Sequence, residues 1–585
     1  MNVQLPSGHS PLFKPPRREI RLPARSPVFR LILAAGFAML AAGLAAWLWP
    51  ATGRAQGSTP ATLPAADRAR IDAVFQDFND RTPGCVLGVV RDGRLAYARG
   101  YGMASLEENV PMTPETVLEI GSVSKQFTAT SIFLLEHDGK LSIDDEARKY
   151  IHELPDYRYP VTIRELLHHT SGVRDCIALM EMSGIPFDDY ATEADALAMI
   201  ARQKELNFEP NTAYLYSNSG YFLLSRIVKR VSGMPLAQFA RERIFQPLGM
   251  IHTTIVDDHT LVIPGRSRTY APWDGGGYQV DVSNWEQTGD GAVDTTVGDL
   301  ALWDRNFDDP VVGGRRLIDE LETQGVLKDG KKIDYAAGLA IDTYRGLRRV
   351  SHAGSWQGFR AQFERFPDQE LSLITLCNVA NADPGARTSK VADILLGDKL
   401  APAPSRTRIA LGDDKLRRYA GLYWSERDHD VRRVDFREHK LFLQQGLAPA
   451  RELAPFADDE FGLGDATVRF RASGGHTRMI LEAAGETLDR YPPAHPTAGQ
   501  TQPLAGRYRS DELQVTWTID AQGGKLALRA LGANPNRLDT DKSYTMIPAV
   551  PGVFTAGPYV VQVDSQGFRA SIGRAGGIRF LRESR

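Results

Sequence analysis

The chain has 585 residues, more than one hydrophobic core usually supports, so two to four domains are expected. Its 69 basic and 72 acidic residues nearly cancel, which gives no electrostatic footing for a nucleic-acid partner. Three widely spaced cysteines, Cys85, Cys176 and Cys377, suggest neither metal spacing nor a disulfide framework, and the histidines form no His-Glu-x-x-His, so no metal is expected.

Residues 1–30 form a basic lead, with Lys14, Arg17, Arg18, Arg21, Arg25 and Arg30 against the single acid Glu19. The apolar run 31–49 is just long enough to cross a bilayer and reads as a signal peptide or a transmembrane anchor. Ala55 with Gly53 could end a cleavage site, whereas the long basic lead and the Trp47/Trp49 pair suit an uncleaved anchor better. In either case the positive side should stay in the cytoplasm. The remainder is expected on the periplasmic or extracellular side, membrane-anchored or secreted.

After a spacer at 50–65, Asp67–Phe78 reads as a helix. Cys85–Val90 and Leu95–Arg99 flank Arg91-Asp92-Gly93-Arg94, and Asp-Gly between apolar runs predicts a hairpin. Glu119-Ile120-Gly121-Ser122-Val123-Ser124-Lys125-Gln126-Phe127 follows and opens a helix that stops at Asp138-Gly139. Ser122 and Lys125 are three residues apart, on one helix face. A serine hydroxyl is a poor nucleophile until a neighbour removes its proton, and a desolvated lysine can be that neighbour. Ser124 has no lysine in the same register. By itself the motif occurs often by chance and fits better an ordinary amphipathic helix that happens to carry both residues.

A mainly helical region comes next, punctuated by His168-His169-Thr170-Ser171-Gly172, where the two histidines read as packing and capping groups rather than as ligands or bases. Tyr216 and Asn218 stand one residue apart before a helix that ends near Ser232-Gly233. They offer a phenol and an amide to the same side, or else Asn218 is a helix N-cap with Tyr216 packed beside it. Gly289 to Thr296 opens another helix through Leu300 and Trp303, and Arg349–His352 reads as a strand ending in His352-Ala353-Gly354-Ser355. Phe359–Phe366 and Leu371–Leu376 form a hairpin around Pro367-Asp368-Gln369-Glu370. Strands at both ends with helices between imply an α+β domain over 66–397, its antiparallel sheet closed by both terminal segments around an inserted, mainly helical region. Beyond a linker at 398–412 the chain repeats itself with an offset of 85 residues: Gly421, Tyr423 and Ser425 answer to Gly506, Tyr508 and Ser510, and Lys440, Leu441 and Leu443 to Lys525, Leu526 and Leu528. Two small all-β barrels or sandwiches, at 413–495 and 496–585, are expected. Neither shows a catalytic grouping, so the chemistry is expected to lie wholly before residue 400.

Taken in order, Ser122-x-x-Lys125, Tyr216-Ser217-Asn218 and His352-Ala353-Gly354 resemble the three signatures of the serine β-lactamase and penicillin-binding-protein superfamily, most closely its class C-type branch. The flanking residues Leu167 to Gly172 and Asp299 to Trp303 also look like that branch. A catalytic domain followed by two β-modules has a layout similar to the D-aminopeptidases. The resemblance implies a β-lactamase-like fold with no cofactor. It also implies Ser122 as nucleophile, Lys125 as its base or proton shuttle and Tyr216 as relay to the leaving group. Asn218, His352, Gly354 and Ser355 would hold the substrate, with the backbone N–H groups of Ser122 and Ser355 as oxyanion hole.

The expected activity is that of an exported serine hydrolase working through an acyl-enzyme, as an aminopeptidase on D-amino-acid amides or peptides, or as an esterase. The alternatives are a D-Ala-D-Ala carboxypeptidase or β-lactamase and, in a different class, a non-catalytic penicillin-recognising or cell-wall-binding protein. Expected partners are a small peptide, amide or ester, peptidoglycan, and the membrane if the N-terminal segment is uncleaved. The third motif departs from the penicillin-binding pattern by starting with histidine rather than lysine. Histidine is mostly neutral above a pH of about 6.5. Without another cation, carboxylate-bearing substrates should then be poor. The competing expectation is an arginine supplied from elsewhere in the fold.

Overall fold

The structure is a computed structural model that describes residues 63–402 and 407–584, apart from 426–429, 447–448, 464–465, 474–475, 482–485, 491–501, 523–524 and 531–541. The basic lead, the apolar run 31–49, nearly all of the spacer and the expected boundary between the β-modules at 495/496 lie outside the described residues. Among those described, no helix is long and apolar enough to cross a membrane.

The catalytic domain is built on six antiparallel strands: β1 (Cys85–Arg91), β2 (Arg94–Tyr101), β3 (Ala340–Tyr344), β4 (Leu347–Trp356), β5 (Phe359–Phe366) and β6 (Leu371–Cys377), in the order β3-β4-β5-β6-β1-β2. The N-terminal hairpin therefore completes the sheet begun by the C-terminal strands. Alternation along β1 sends Cys85, Leu87 and Val89 to a small core with helix α1 (Ala65–Val74), and Val86 and Val90 to the main core. Two of the cysteines depart from expectation. Cys85 and Cys377 are directly paired across β1 and β6 and joined by a disulfide, while Cys176 is free and buried. Two cysteines separated by 292 residues carry no spacing signal; only the closure of the sheet brings them together.

Helix α2 (Lys125–His137) runs beneath the sheet and is buried without a break from Lys125 to Leu135. It is not the one-sided amphipathic helix that its sequence suggests. Thr130 and Ser131 enter the core because their hydroxyls donate to the carbonyls of Gln126 and Phe127 one turn back, both at 2.8 Å. Helix α3 (Asn218–Ser232) packs against it and ends on Gly233 in the left-handed conformation. Helix α4 (Val297–Asp308) is capped by Thr296, whose hydroxyl accepts from the Asp299 N–H at 3.1 Å.

The repeat becomes two closed eight-stranded barrels, from Gly421 to Arg490 and from Gly506 to Arg582. It reaches down to single bonds. The Tyr423 hydroxyl donates to the carbonyl of Tyr419, and Tyr508, its equivalent, to that of Leu504, each at 2.7 Å. The barrels are placed differently. Trp424 and Val431 of the first pack against Val550, Val553 and Val560 of the second. The second barrel also shares the main core with the catalytic domain through Leu513 and its neighbours. Glu512 there accepts from Arg174 at 2.7 Å, both side chains being almost completely buried. Cutting the chain near residue 400 would remove Glu512 and leave Arg174 with Gln203 and Glu205.

Replacing both Cys85 and Cys377 by alanine should lower stability by about 2–5 kcal/mol through the freedom returned to the unfolded chain. A fall in thermal midpoint relative to the oxidised wild type, reproduced by adding reductant to the latter, is the expected result.

Candidate active site

Ser122 lies in a single 3-10 turn, Gly121–Ser124, that leads straight into α2. This turn is pressed against β4. A Cβ on Gly354 would lie 1.9 Å from the Ile120 carbonyl oxygen, and one on Gly121, where φ is +49°, only 2.6 Å from the Ser355 nitrogen. No side chain fits at either place. Gly354 thus serves the approach of strand to nucleophile. Strand β3 pairs with β4 only as far as Ser351, so His352 to Trp356 has a strand neighbour on the β5 side alone. The backbone of Ser355 is thereby brought beside the turn that carries Ser122.

Lys125 is completely buried, and its Nζ donates to Ser122 Oγ at 3.0 Å, Asn218 Oδ1 at 2.9 Å and the Asp290 carbonyl at 2.6 Å. Burial lowers its pKa to about 8, the Asp290 carboxylate opposes that fall, and the guanidinium of Arg574 adds to it. Tyr216 presents its ring 4.8 Å from the same Nζ. Its phenol is pushed well above 10 by burial, while Ser122 and Arg574 pull the other way, and no hydrogen bond of ordinary geometry satisfies it. An unsatisfied buried hydroxyl next to a nucleophile is available to exchange a proton there.

Of the two readings of Asn218, the structure has the amide facing the site and not the N-cap. Asn218 is the first residue of α3, with Ser217 as N-cap, and its side chain faces Lys125. The capping acceptor comes from elsewhere: Asp175 takes the Asn218 backbone N–H at 2.6 Å and one side-chain amide proton at 3.0 Å. One amide proton of Asn218 remains for a ligand. His352 is buried in β4. Its Nδ1–H donates to the Ala353 carbonyl at 2.7 Å, so Nε2 accepts from the Tyr335 hydroxyl at 3.0 Å. Burial and the Lys125 charge drop its pKa to about 3. His168 caps the end of the short helix Ile163–Leu167. His169 packs its ring 4.1 Å from Tyr216 and accepts from the Ser217 N–H through Nδ1 at 3.1 Å. Burial keeps it neutral as well.

Ser122, Tyr216, Asn218 and His352 line a cleft of about 1320 Å³ that also includes Phe187, Trp285 and Trp356, whose rings lie 4.7–5.8 Å apart and form an apolar wall. Asp175, Tyr335 and Arg574 were not legible as site residues. The first two belong to no motif spacing, and Arg574 belongs to the second barrel. Ser122, Lys125 and Tyr216 precede residue 400, but the cleft around them is not built wholly from that part of the chain: the Ile572–Ala575 turn of that barrel reaches it, and the Arg574 guanidinium stands 4.6 Å over the Tyr216 ring. It is a cation of the kind the competing expectation required. Away from the serine, Asp258, His259 and Glu286 bring ligand atoms within 4.8 Å of one another, but His259 already bonds Glu286 at 2.9 Å and Asp258 accepts from Thr260.

A serine held to a desolvated lysine, with a buried phenol alongside and a sheet edge behind, defines a serine hydrolase. The family described as Beta-lactamase matches residues 71–396, more than half of the sequence, and the chain belongs to that family. A D-aminopeptidase of Brucella anthropi is 27% identical over 480 residues, spanning 81% of this chain and 86% of its own. A penicillin-binding protein of Bacillus subtilis is 28% identical over 424 residues, 68% of this chain and 91% of its own. Among solved structures, the octameric penicillin-binding protein homologue from Pyrococcus abyssi shares the fold, with TM-score 0.53 and 23% identity over 73% of this chain and 99% of that one.

Lysine must be neutral to take the serine proton, so inactivation by a fluorophosphonate should speed up as pH rises through about 8. No histidine limb is expected near 6.5, since His168, His169 and His352 are all held neutral there. Asp290→Asn removes the charge that favours protonated Lys125, and should move the limb to lower pH. The rate of inactivation against pH in both proteins checks this.

Proposed function

We propose that this protein hydrolyses amides, peptides or esters of D-amino acids through an acyl-enzyme on Ser122. The observation that carries the reading is the 3.0 Å contact between Ser122 Oγ and a lysine whose burial favours its neutral form. Neutral Lys125 takes the hydroxyl proton as Oγ bonds to the substrate carbonyl carbon. The backbone N–H groups of Ser122 and Ser355 receive the oxyanion, a contribution of roughly 3–4 kcal/mol per donor. As the carbon–nitrogen or carbon–oxygen bond breaks, Tyr216 protonates the leaving group and recovers a proton from Lys125. Water then repeats the sequence on the ester. Asn218, held by Asp175, orients the substrate amide, and the wall of Phe187, Trp285 and Trp356 suits an apolar side chain. The D-configuration is supported by the D-aminopeptidase relatives, which match most of the length of both chains. The penicillin-binding relative keeps a D-Ala-D-Ala carboxypeptidase or β-lactamase as the second reading.

Export fits the same picture. The basic lead and apolar run favour a catalytic domain outside the cytoplasm. A disulfide between Cys85 and Cys377 suits an oxidising compartment.

Ser122→Ala should abolish labelling by a fluorophosphonate, whereas Ser124→Ala should retain most of it. The Ser124 hydroxyl only accepts from the Val293 N–H, at 3.2 Å. Mass spectrometry of the labelled peptide decides between the two serines, and a parallel exposure to penicillin separates the second reading. For topology, protease added to intact spheroplasts should digest the catalytic domain; protection until the membrane is lysed would contradict export.

A further inference from the structure

The second barrel sends one charged side chain into the catalytic cleft, and the fold goes to some length to place it. Gly573 and Arg574 form a two-residue turn between strands Gly567–Ile572 and Ala575–Arg582, with Gly573 at φ +47°. The Arg574 carbonyl accepts from the Asn207 side-chain amide at 2.8 Å and from the Asp175 N–H at 3.2 Å. Asn207 returns a bond from the Gly576 N–H at 2.9 Å. Further back, Arg569 pairs with Glu205 at 2.8 Å, and Arg174 with Glu512. The turn is thus fastened to Asp175, the residue that holds Asn218.

The guanidinium itself is uncommitted. Among the described residues it has no ion-pair partner, while the other arginines lining the cleft are engaged. Arg266 is held by Glu119 and Asp294, and Arg360 by the carbonyls of Gln357 and Phe359. Lys125 is spent on three acceptors, and His352 has both ring nitrogens bonded. Among the described residues, an anionic group entering the cleft beside Tyr216 meets one free cation, Arg574.

We propose that Arg574, delivered by the second barrel, is a specificity-determining residue that binds a carboxylate on the leaving group of the substrate. This rests on the acyl-transfer reading at Ser122, in which Tyr216 protonates that leaving group. The guanidinium over the Tyr216 ring stands on the departing side. It offers a planar pair of N–H donors, the geometry that matches a carboxylate. Strand β4 contributes no charge at its edge, so the cation that a lysine in the third motif would supply comes instead from another domain. Several of the acidic residues on the cleft wall are committed elsewhere: Asp383 caps the helix Pro384–Leu396, Asp175 is occupied by Asn218, Glu119 pairs with Arg266, and Asp290 accepts from Gln287.

The test uses the full-length protein and two substrates, an N-acetylated D-dipeptide with a free C-terminal carboxylate and the same dipeptide as its C-terminal amide. Wild type should prefer the carboxylate form in kcat/KM. In Arg574→Gln the ratio should fall roughly tenfold to a hundredfold, mostly through KM, the range expected for losing one hydrogen-bonded charge pair. Arg574→Lys should recover part of it, and Arg574→Glu should invert the preference. A wild type that favours the amide form, or a ratio unchanged in Arg574→Gln while a fluorophosphonate still labels Ser122, overturns the assignment of Arg574 and leaves the serine chemistry standing. Wild type that hydrolyses either dipeptide but carries no label on Ser122 overturns the serine reading, and the present inference with it.

Discussion

The structure turns on a lysine taken entirely out of water. A buried ammonium without partners is strongly disfavoured, and the molecule answers with three acceptors around Lys125: the Ser122 hydroxyl, the Asn218 amide oxygen and the Asp290 carbonyl. Each of them is itself fixed from behind. Asp175 grips Asn218 twice, and Ser122 sits in a turn locked against β4 by the absence of side chains at Gly121 and Gly354. The result is an amine close enough to neutrality to act as a base, yet with charge enough to hold the serine oxygen in place. Loosening any one support would change both properties together.

That arrangement explains why the surrounding aromatic groups are buried and some of their polar atoms unsatisfied. Tyr216, Tyr335, Tyr221 and His169 crowd around the ammonium and strip it of solvent, and two of them, Tyr216 and His169, leave a polar atom without a partner. Such atoms reduce stability, by about 1–3 kcal/mol each for ordinary groups. Their concentration at one place is what a site that must pass protons requires.

Much of this was legible in the chain. The serine-lysine spacing, the Tyr216/Asn218 pair and the His352 strand each read correctly as local features, because helix and strand periodicity fixes which neighbours share a side. The 85-residue repeat likewise announced the paired barrels. What escaped was whatever depends on closure over long distance. Cys85 meets Cys377 only when the first and last strands of the sheet come together. Asp175 reads in its own stretch only as the N-cap of the helix Cys176–Met182, where it accepts from the Ala178 N–H, and Tyr335 lies between elements with no periodicity to mark it. Arg574 belongs to no motif and reaches the cleft only because the second barrel packs against the catalytic domain. Helix α2 was misjudged for another reason: Thr130 and Ser131 look polar in a list of residues but hide their hydroxyls against their own helix.

The brevity of the turn between Ile572 and Ala575 carries a consequence for how this protein can vary. Surface loops ordinarily absorb insertions and deletions freely. Here Ile572 and Ala575 are paired across the hairpin, leaving two residues between them. Adding one would lengthen the turn and withdraw Arg574 from Tyr216; removing one would break the strand pairing itself. A segment that looks like the most expendable part of an appended module is therefore fixed in length by a reaction centre in another domain, and relatives that differ there would be expected to differ in what they accept.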